Sequence, residues 1–442
     1  MSKQNETTPP VDVLIAGAGM AGLIAGCVLA EAGKSVLLIE ASDRVGGRMH
    51  SHSLPGIEDP IELGAEFVHG MPPDLLSLID EAGLHLEEVD GREYCFDGRK
   101  LFPCPEDDTS GVVGEMEDYC DQHPDQDMSF VQYLEQGACD ETTSREALRF
   151  IEGFNAADAS NISIQALNFQ QKAEDAIQGE RAFRIREGYS ALADHLFGRF
   201  AAAGGRVQFT AQVEKVIWTI QEVRMAGTCE GEALDLPPAR RAIIALPLGV
   251  LQSNAVDFQP RPKAFEVLDA LSMGPVLRLT LVFAERFWDS LQRPYGDMSF
   301  LFAENAVPGV FWTRSPSPQP SITAWAGGPS ATRMSADAFA QQALQTLART
   351  FGMQESELES GLVSAHLHPW MTDPLSLGAY SYVRSGRLQD SRLWSIPEKD
   401  TLYFAGEHTD LSGHWGTVHG AMRSGLRAAR QILDTPIGPE EV

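Results

Sequence analysis

Gly17, Gly19 and Gly22 stand in a G-x-G-x-x-G run, with Ala21 beside the last of them, and Glu40 follows at the end of the next apolar stretch. Each part has a mechanical reason in dinucleotide chemistry. The glycines permit a tight turn and close backbone approach, the helix that follows offers its N-terminus to a pyrophosphate, and a carboxylate at Glu40 can take ribose hydroxyls. A glycine turn needed only for packing leaves Glu40 unexplained. The run by itself does not choose between NAD and FAD. Ala41-Ser-Asp-Arg-Val-Gly-Gly-Arg48 then places a cation and two glycines where an extended cofactor continues past its adenosine half. Glu62-Leu-Gly64-Ala65-Glu66-Phe67 adds a second approach point of small residues. Together these favour FAD.

The elements that must hold these residues are readable from the pattern. Val11–Ala16 and Ser35–Glu40 read as buried strands, and Met20–Ala32 as a helix ended by Gly33. Both strands are apolar throughout, as in a parallel sheet covered on both faces. From about Asp74 to His195 the chain turns to short, acid-rich helical segments, including Thr143 to Phe154, with no further βαβ alternation. Ser190 is expected to cap a helix running to Gly204-Gly205. Paired strands over Arg206 to Met225 and a strand over Arg241 to Leu246 follow. Beyond Pro260, strands are expected at Arg278–Ala284, Val310–Arg314, Ser321–Ala326 and Leu362–His368, with a helix from Ser335 to Phe351. The chain closes with a strand, Thr401–Phe404, a glycine turn and a helix from Thr417 to Leu433. In that helix Val418, Ala421, Met422, Gly425, Ala429 and Leu433 share a face from which Arg423, Arg427 and Arg430 are absent.

The expected fold is therefore α/β, a Rossmann-like FAD-binding domain (11–73, 190–260, 395–435) with a discontinuous α+β substrate domain (74–189, 261–394) and loose tails at 1–10 and 436–442. At 442 residues a two-domain chain is the natural expectation. Hydrophobic residues make up 43% and charged ones 22%, ordinary globular usage that predicts little disorder. The net charge of −28, with no basic patch, excludes a nucleic-acid partner. The six cysteines are scattered, with no C-x-x-C pair and no His at metal-ligand spacing, so reduced thiols and no metal are expected. The polar start and the lack of a long apolar run predict a cytoplasmic protein without a membrane span. Oligomeric state is left open.

At this point the sequence resembles the flavin-containing amine oxidases, which include monoamine oxidases, polyamine oxidases and flavin-dependent histone demethylases. The matching segments are GAGMAGL, IEASDRVGGRMH, ELGAEFVHG, ALPLGVL, MGPVLRLTLVFAERFW, DPLSLGAYSYV, and YFAGEHT with GTVHGAMRSGLRAA. The resemblance implies that Gly17, Gly19, Ala21 and Gly22 line the phosphates and Glu40 the ribose, with Arg48 on the flavin side. It places Gly64, Ala65, Glu66 and Phe67 near the isoalloxazine ring and the Val213 backbone at adenine. Gly406 and Glu407 fall at the ribityl or pyrophosphate part, and Thr417 and Val418 at the pyrimidine edge. A closing helix aimed at the ring would favour the negative charge of the reduced flavin.

On the substrate side, Tyr380 matches an aromatic residue that stands beside the flavin and guides the amine, although a lone Tyr in an apolar strand is more often core. Monoamine oxidases carry a flavin-linked Cys just before this Tyr. Here that position is Ala379, so the FAD is expected to be noncovalent. His69 matches a His facing the substrate passage, Trp370 a Trp near the flavin or an equally ordinary structural Trp, and Thr417 the place of a second cage Tyr. Arg278 departs from the pattern, since it aligns with a Lys that holds a water against flavin N5. Its high pKa bars proton exchange, which puts oxygen reactivity in doubt. The implied activity is hydride transfer from a small amine or polyamine to the flavin, with oxygen or another acceptor closing the cycle. The alternatives are a flavin desaturase or dehydrogenase acting on a non-amine, and a noncatalytic flavoprotein.

Overall fold

The computed structural model describes residues 11–105, 109–137, 139–291 and 295–434. The tails expected to be loose, 1–10 and 436–442, lie outside the described residues. Strands Arg206–Gln208, Val36–Ile39, Val11–Ala16 and Ala239–Ile244 lie side by side in parallel, and Leu402–Phe404 joins them beside Ala239–Ile244. Successive side chains on a strand face opposite ways. Val13, Ile15, Leu38 and Ile243 accordingly pack with the helices Met20–Glu31, Tyr189–Ala202 and Val418–Asp434. Leu14, Ala16, Leu37, Ile39 and Ile244 pack into a second layer with Phe265, Leu271 and Trp394. This double coverage is why both strands read as apolar without alternation. An antiparallel group, Ala211–Thr219 with Glu222–Cys229, extends the same sheet and carries a bulge between Val213 and Lys215.

The second large sheet has the order Leu362–Leu367, Val276–Phe283, Ser321–Gly327, Val310–Thr313, Met298–Ala303, Arg92–Phe96, Leu101–Pro103. Leu277, Leu279 and Leu281 face the helix Ala336–Phe351, which Ser335 caps through the Ala338 N–H. The intervening Arg278 points the other way, paired in register with Trp325. A short ladder of Leu271–Gly274 against Tyr380–Val383 brings Tyr380 beside Gly274.

Several expectations are corrected. The 74–195 stretch is not helical throughout: Leu86–Glu88, Arg92–Phe96 and Leu101–Pro103 are strands, and the last two form a hairpin on the edge of the second sheet. That hairpin brings Cys95 and Cys104 into a disulfide, so the expectation of six free thiols fails for a pair that only strand pairing brings together. Ser190 is not a cap. The helix starts at Tyr189 behind Gly188, and Ser190 instead exchanges hydrogen bonds of 2.9 Å with Ser51. On the last helix Leu433 is exposed, and the packed stripe runs through Met422, Gly425, Ala429 and Ile432. Among the described residues no helix is long and apolar enough to cross a membrane.

Candidate active site

A cavity of about 2220 Å³ runs between the two sheets. Ordinary small-molecule pockets reach about 1,000 Å³, so this one has room for a dinucleotide and a substrate together. Gly17, Gly19, Ala21, Glu40, Arg48, Val213, Gly406, Thr417 and Val418 line it. Gly64, Ala65, Glu66, Phe67, Trp370, Glu407, Arg278, Tyr380 and His69 also line it. Gly22 does not. A side chain there would stand 1.9 Å from the Gly17 carbonyl, so its role is close packing of turn on helix, not phosphate contact.

The glycine end is a cradle in which side chains have no place. Gly17, at φ +102°, would put a Cβ 2.7 Å from the Ala245 carbonyl, and a Cβ on Gly47 would stand 3.3 Å from Gly19. The Gly46 N–H donates to the Ala18 carbonyl at 2.8 Å, which ties the second glycine turn to the first. Glu40 is held by the N–H groups of Ala18 (2.7 Å) and Ser42 (2.9 Å), so its carboxylate is fixed where a ribose would pass. Val213, at the bulge, lines the same cavity. At the other end of the chain, Thr417 Oγ1 accepts the Gly420 N–H at 3.0 Å and so caps the last helix. The first N–H groups of a helix, here those of Val418 and His419, have no intrahelical acceptor, and both residues line the cavity. A backbone cradle with two helix N-termini fits the phosphates of FAD and the negative charge that its ring takes up on reduction.

Chain start and chain end are joined through Glu407. Arg48 Nη1 donates to Glu407 Oε1 at 2.9 Å and to the Ala379 carbonyl at 2.8 Å. Glu407 Oε2 accepts from Ser381 Oγ at 2.6 Å and from the Gly416 N–H at 2.9 Å. Burial opposes its ionisation, and Arg48 and these donors outweigh that, lowering its pKa. The carboxylate is thus a hub that sets the segments around the cavity.

Glu66 is likewise committed. It accepts from Arg184 Nε at 2.6 Å, Arg278 Nη2 at 2.5 Å and Trp312 Nε1 at 3.0 Å, and Arg278 Nη1 donates to the Gly64 carbonyl. Burial alone would raise the pKa of Glu66, but Arg184, Arg278 and Arg314 bring it down to about 2. Tyr380 OH donates to the Phe154 carbonyl at 2.7 Å, and its ring lies nearly parallel to Trp325, 13° apart with centroids 6.5 Å apart. Its other neighbour is Gly416, where a Cβ would stand 3.0 Å from the ring. His69 touches Phe67 and Phe154, and burial lowers its pKa to about 4, so it is neutral at physiological pH. Trp370 Nε1 donates to the Leu63 carbonyl at 2.7 Å, and its ring would meet a side chain on Gly64 at 3.2 Å. Trp370 thus packs the Gly64 turn and also lines the cavity.

Arg184, Trp312, Trp325, Phe154 and Phe300 were missed by the sequence reading. Arg184 left a trace, a lone cation in the apolar strand Ala182–Ile185. The aromatic residues left none, because an aromatic residue on a strand reads equally as core.

A glycine cradle that shares one cavity with a group of aromatic side chains suits a flavoprotein oxidoreductase. The family model described as "Flavin containing amine oxidoreductase" matches residues 20–141 and 113–433. A polyamine oxidase 3 of Oryza sativa subsp. japonica is 26% identical over 455 residues, covering 95% of this chain and 88% of that protein. A putrescine oxidase bound to putrescine has a TM-score of 0.80 at 23% identity, covering 97% of this chain and all of that one. Cyclohexylamine oxidase from Brevibacterium oxydans IH-35A has a TM-score of 0.79 at 19% identity, covering 96% of this chain and 99% of that one. These two structures speak for the fold alone. The chain belongs to the flavin-containing amine oxidoreductase family, and with it to the FAD-dependent enzymes that oxidise amines.

Proposed function

We propose that this chain oxidises a small amine or polyamine, with the segments 11–73, 190–260 and 395–435 holding FAD and the segments 74–189 and 261–394 shaping the substrate chamber. The observation that carries this reading is a single cavity lined both by the glycine cradle and by Tyr380. The residues proposed to hold the cofactor are Gly17, Gly19, Glu40, Arg48, Val213, Gly406, Thr417 and Val418, without a covalent bond, as Ala379 offers no nucleophile. Bound FAD supplies the two-electron acceptance that converts an amine to an imine, which water then hydrolyses to a carbonyl compound.

The protein's own part is orientation and environment. A neutral amine is needed for oxidation, and the chamber of Phe67, Phe154, Trp312, Trp325 and Tyr380 disfavours the ammonium form by desolvation. The Tyr380 ring gives the amine a face to lie against, and the neutral ring of His69 offers it a hydrogen-bond partner. Glu66 is more than balanced by Arg184 and Arg278, and the positive charge left over also disfavours the ammonium form. Oxygen as acceptor would yield hydrogen peroxide. Arg278, whose two terminal nitrogens are held by the Gly64 carbonyl and Glu66 and which cannot release a proton as a lysine can, speaks for a different acceptor. The Cys95–Cys104 bridge counts against the cytoplasmic location expected from the sequence, since disulfides persist mainly in oxidising compartments.

Anaerobic mixing of the FAD-loaded protein with a panel of monoamines, polyamines and amino acids, followed at the flavin absorption band, tests the reading. Bleaching by amines is expected. Bleaching by a non-amine donor alone would move the enzyme to the desaturase class, and no bleaching by any donor would make it a binding protein.

A further inference from the structure

Beyond His69 the cavity ends in a polar corner that the oxidation chemistry does not use. Glu174, at the end of the helix Ile164–Asp175, meets His414 and His419 from the two sides of the last helix start. One ligand atom from each lies within 4.8 Å of the others. Glu174 and His419 line the cavity, and both Glu174 Oε2 and His419 Nε2 are buried without a hydrogen-bond partner. His419 is 2% exposed. Buried polar atoms are paired in the great majority of cases, so two that converge on one cavity wall point to a missing guest.

Room for Glu174 is built in. At Gly179 a Cβ would stand 2.6 Å from the Glu174 side chain. His69 is near enough to oppose protonation of His419 and touches Phe154, whose carbonyl holds Tyr380. The corner is therefore reached from the Tyr380 chamber along one wall. Asp175 and Glu180 line the same cavity.

A metal ion does not suit the corner. His414 Nδ1 stands 2.9 Å from Arg423 Nη1. An arginine can only donate, so Nδ1 is the acceptor and the ring proton sits on Nε2. Nε2 then presents its N–H to the Ala173 backbone, so His414 keeps no lone pair for a metal and leaves Glu174 and His419 as the acceptors of the corner. An ammonium group suits it better, because acceptors about 2.9 Å from one tetrahedral nitrogen stand about 4.7 Å apart. Glu174 supplies the charge and His419 Nε2 a neutral acceptor, while His414 and Arg423 hold the arrangement from behind.

We propose that the Glu174–His419 corner, backed by His414, seats a second, non-reacting ammonium group, so that the substrate is a diamine or polyamine held at both ends. This rests on the amine-oxidising reading above and names its substrate class. The methylene chain between the two nitrogens lies in the aromatic chamber. Burial raises the Glu174 pKa to about 7, the condition of a carboxylate that waits for a cation. An arriving ammonium restores its charge.

The test compares 1,4-diaminobutane with n-butylamine on the FAD-loaded wild type, Glu174→Gln and His419→Gln. The diamine-to-monoamine ratio of kcat/KM should fall about 30-fold in Glu174→Gln, the loss expected for one charge-assisted hydrogen bond, and should fall in His419→Gln as well. An unchanged ratio in both variants overturns the subsite. So does one equivalent of zinc retained by the purified wild type in elemental analysis. If no amine bleaches the flavin, the amine-oxidising reading fails. Calorimetric titration with 1,4-diaminobutane then still decides the corner: binding about 30-fold weaker in Glu174→Gln supports it, and equal binding overturns it.

Discussion

Arg278 shows how one side chain can be bound twice over. Its two terminal nitrogens reach the Gly64 carbonyl and Glu66, and its ring neighbour is Trp312. A lysine carries a single point charge and can release a proton, which an arginine cannot. For Arg278→Lys we expect faster reoxidation of the reduced flavin by oxygen, measured by stopped-flow mixing. An equal or slower rate removes the case for a non-oxygen acceptor. Tyr380 gives a second contrast. Tyr380→Phe loses the bond to the Phe154 carbonyl, about 1 kcal/mol, but keeps the ring. It should lose little of its limiting rate of flavin bleaching, whereas Tyr380→Ala should lose at least tenfold more. Equal losses would deny the ring a role.

At the scale of elements, the decisive contact is between the first and last helices. The second glycine of the closing helix, Gly425, faces the first helix so closely that a Cβ would stand 2.3 Å from the Ala21 carbonyl. Ala21 stands in the first turn of the helix that follows the glycine run, so a displacement there bears on the phosphate cradle. Gly425→Ala should cost about 1–3 kcal/mol as overpacking against rigid backbone and should weaken FAD retention. Thermal melting and flavin release on gel filtration measure the two effects, and a variant that melts and retains flavin like the wild type would disprove the coupling. The helix face expected from periodicity was correct at Met422, Gly425 and Ala429 and wrong at Leu433. Periodicity fixes the direction of a residue but not where the supporting layer stops.

At the scale of the molecule, buried charge clamps the second large sheet to the small three-stranded sheet of Phe67–His69, Ala182–Ile185 and Leu86–Glu88. Glu66 lies at 3% side-chain exposure between Arg184 and Arg278, which come from different sheets. Its pKa falls from 4.5 unfolded to about 2 folded, so its stabilisation is complete above pH 4.5 and is lost as pH falls toward 2. The shift corresponds to about 3 kcal/mol. Glu66→Gln should therefore melt well below the wild type at pH 7, and the gap should narrow as pH is lowered from 4.5 to 3. A gap that does not change with pH would show that the cluster contributes shape and not charge. What the sequence alone determined was the dinucleotide turn, the parallel strands around it, the FAD cofactor and a set of candidate site residues that, Gly22 apart, all line the cavity, because glycine needs and apolar periodicity are local. Tertiary structure decided the rest. The Glu407 hub, the clamp on Glu66 and the Glu174–His419 corner each join residues remote in sequence, and a partner that depends on how two layers stack leaves no mark on either segment alone; the Cys95–Cys104 bridge is local but needs the pairing register of its hairpin.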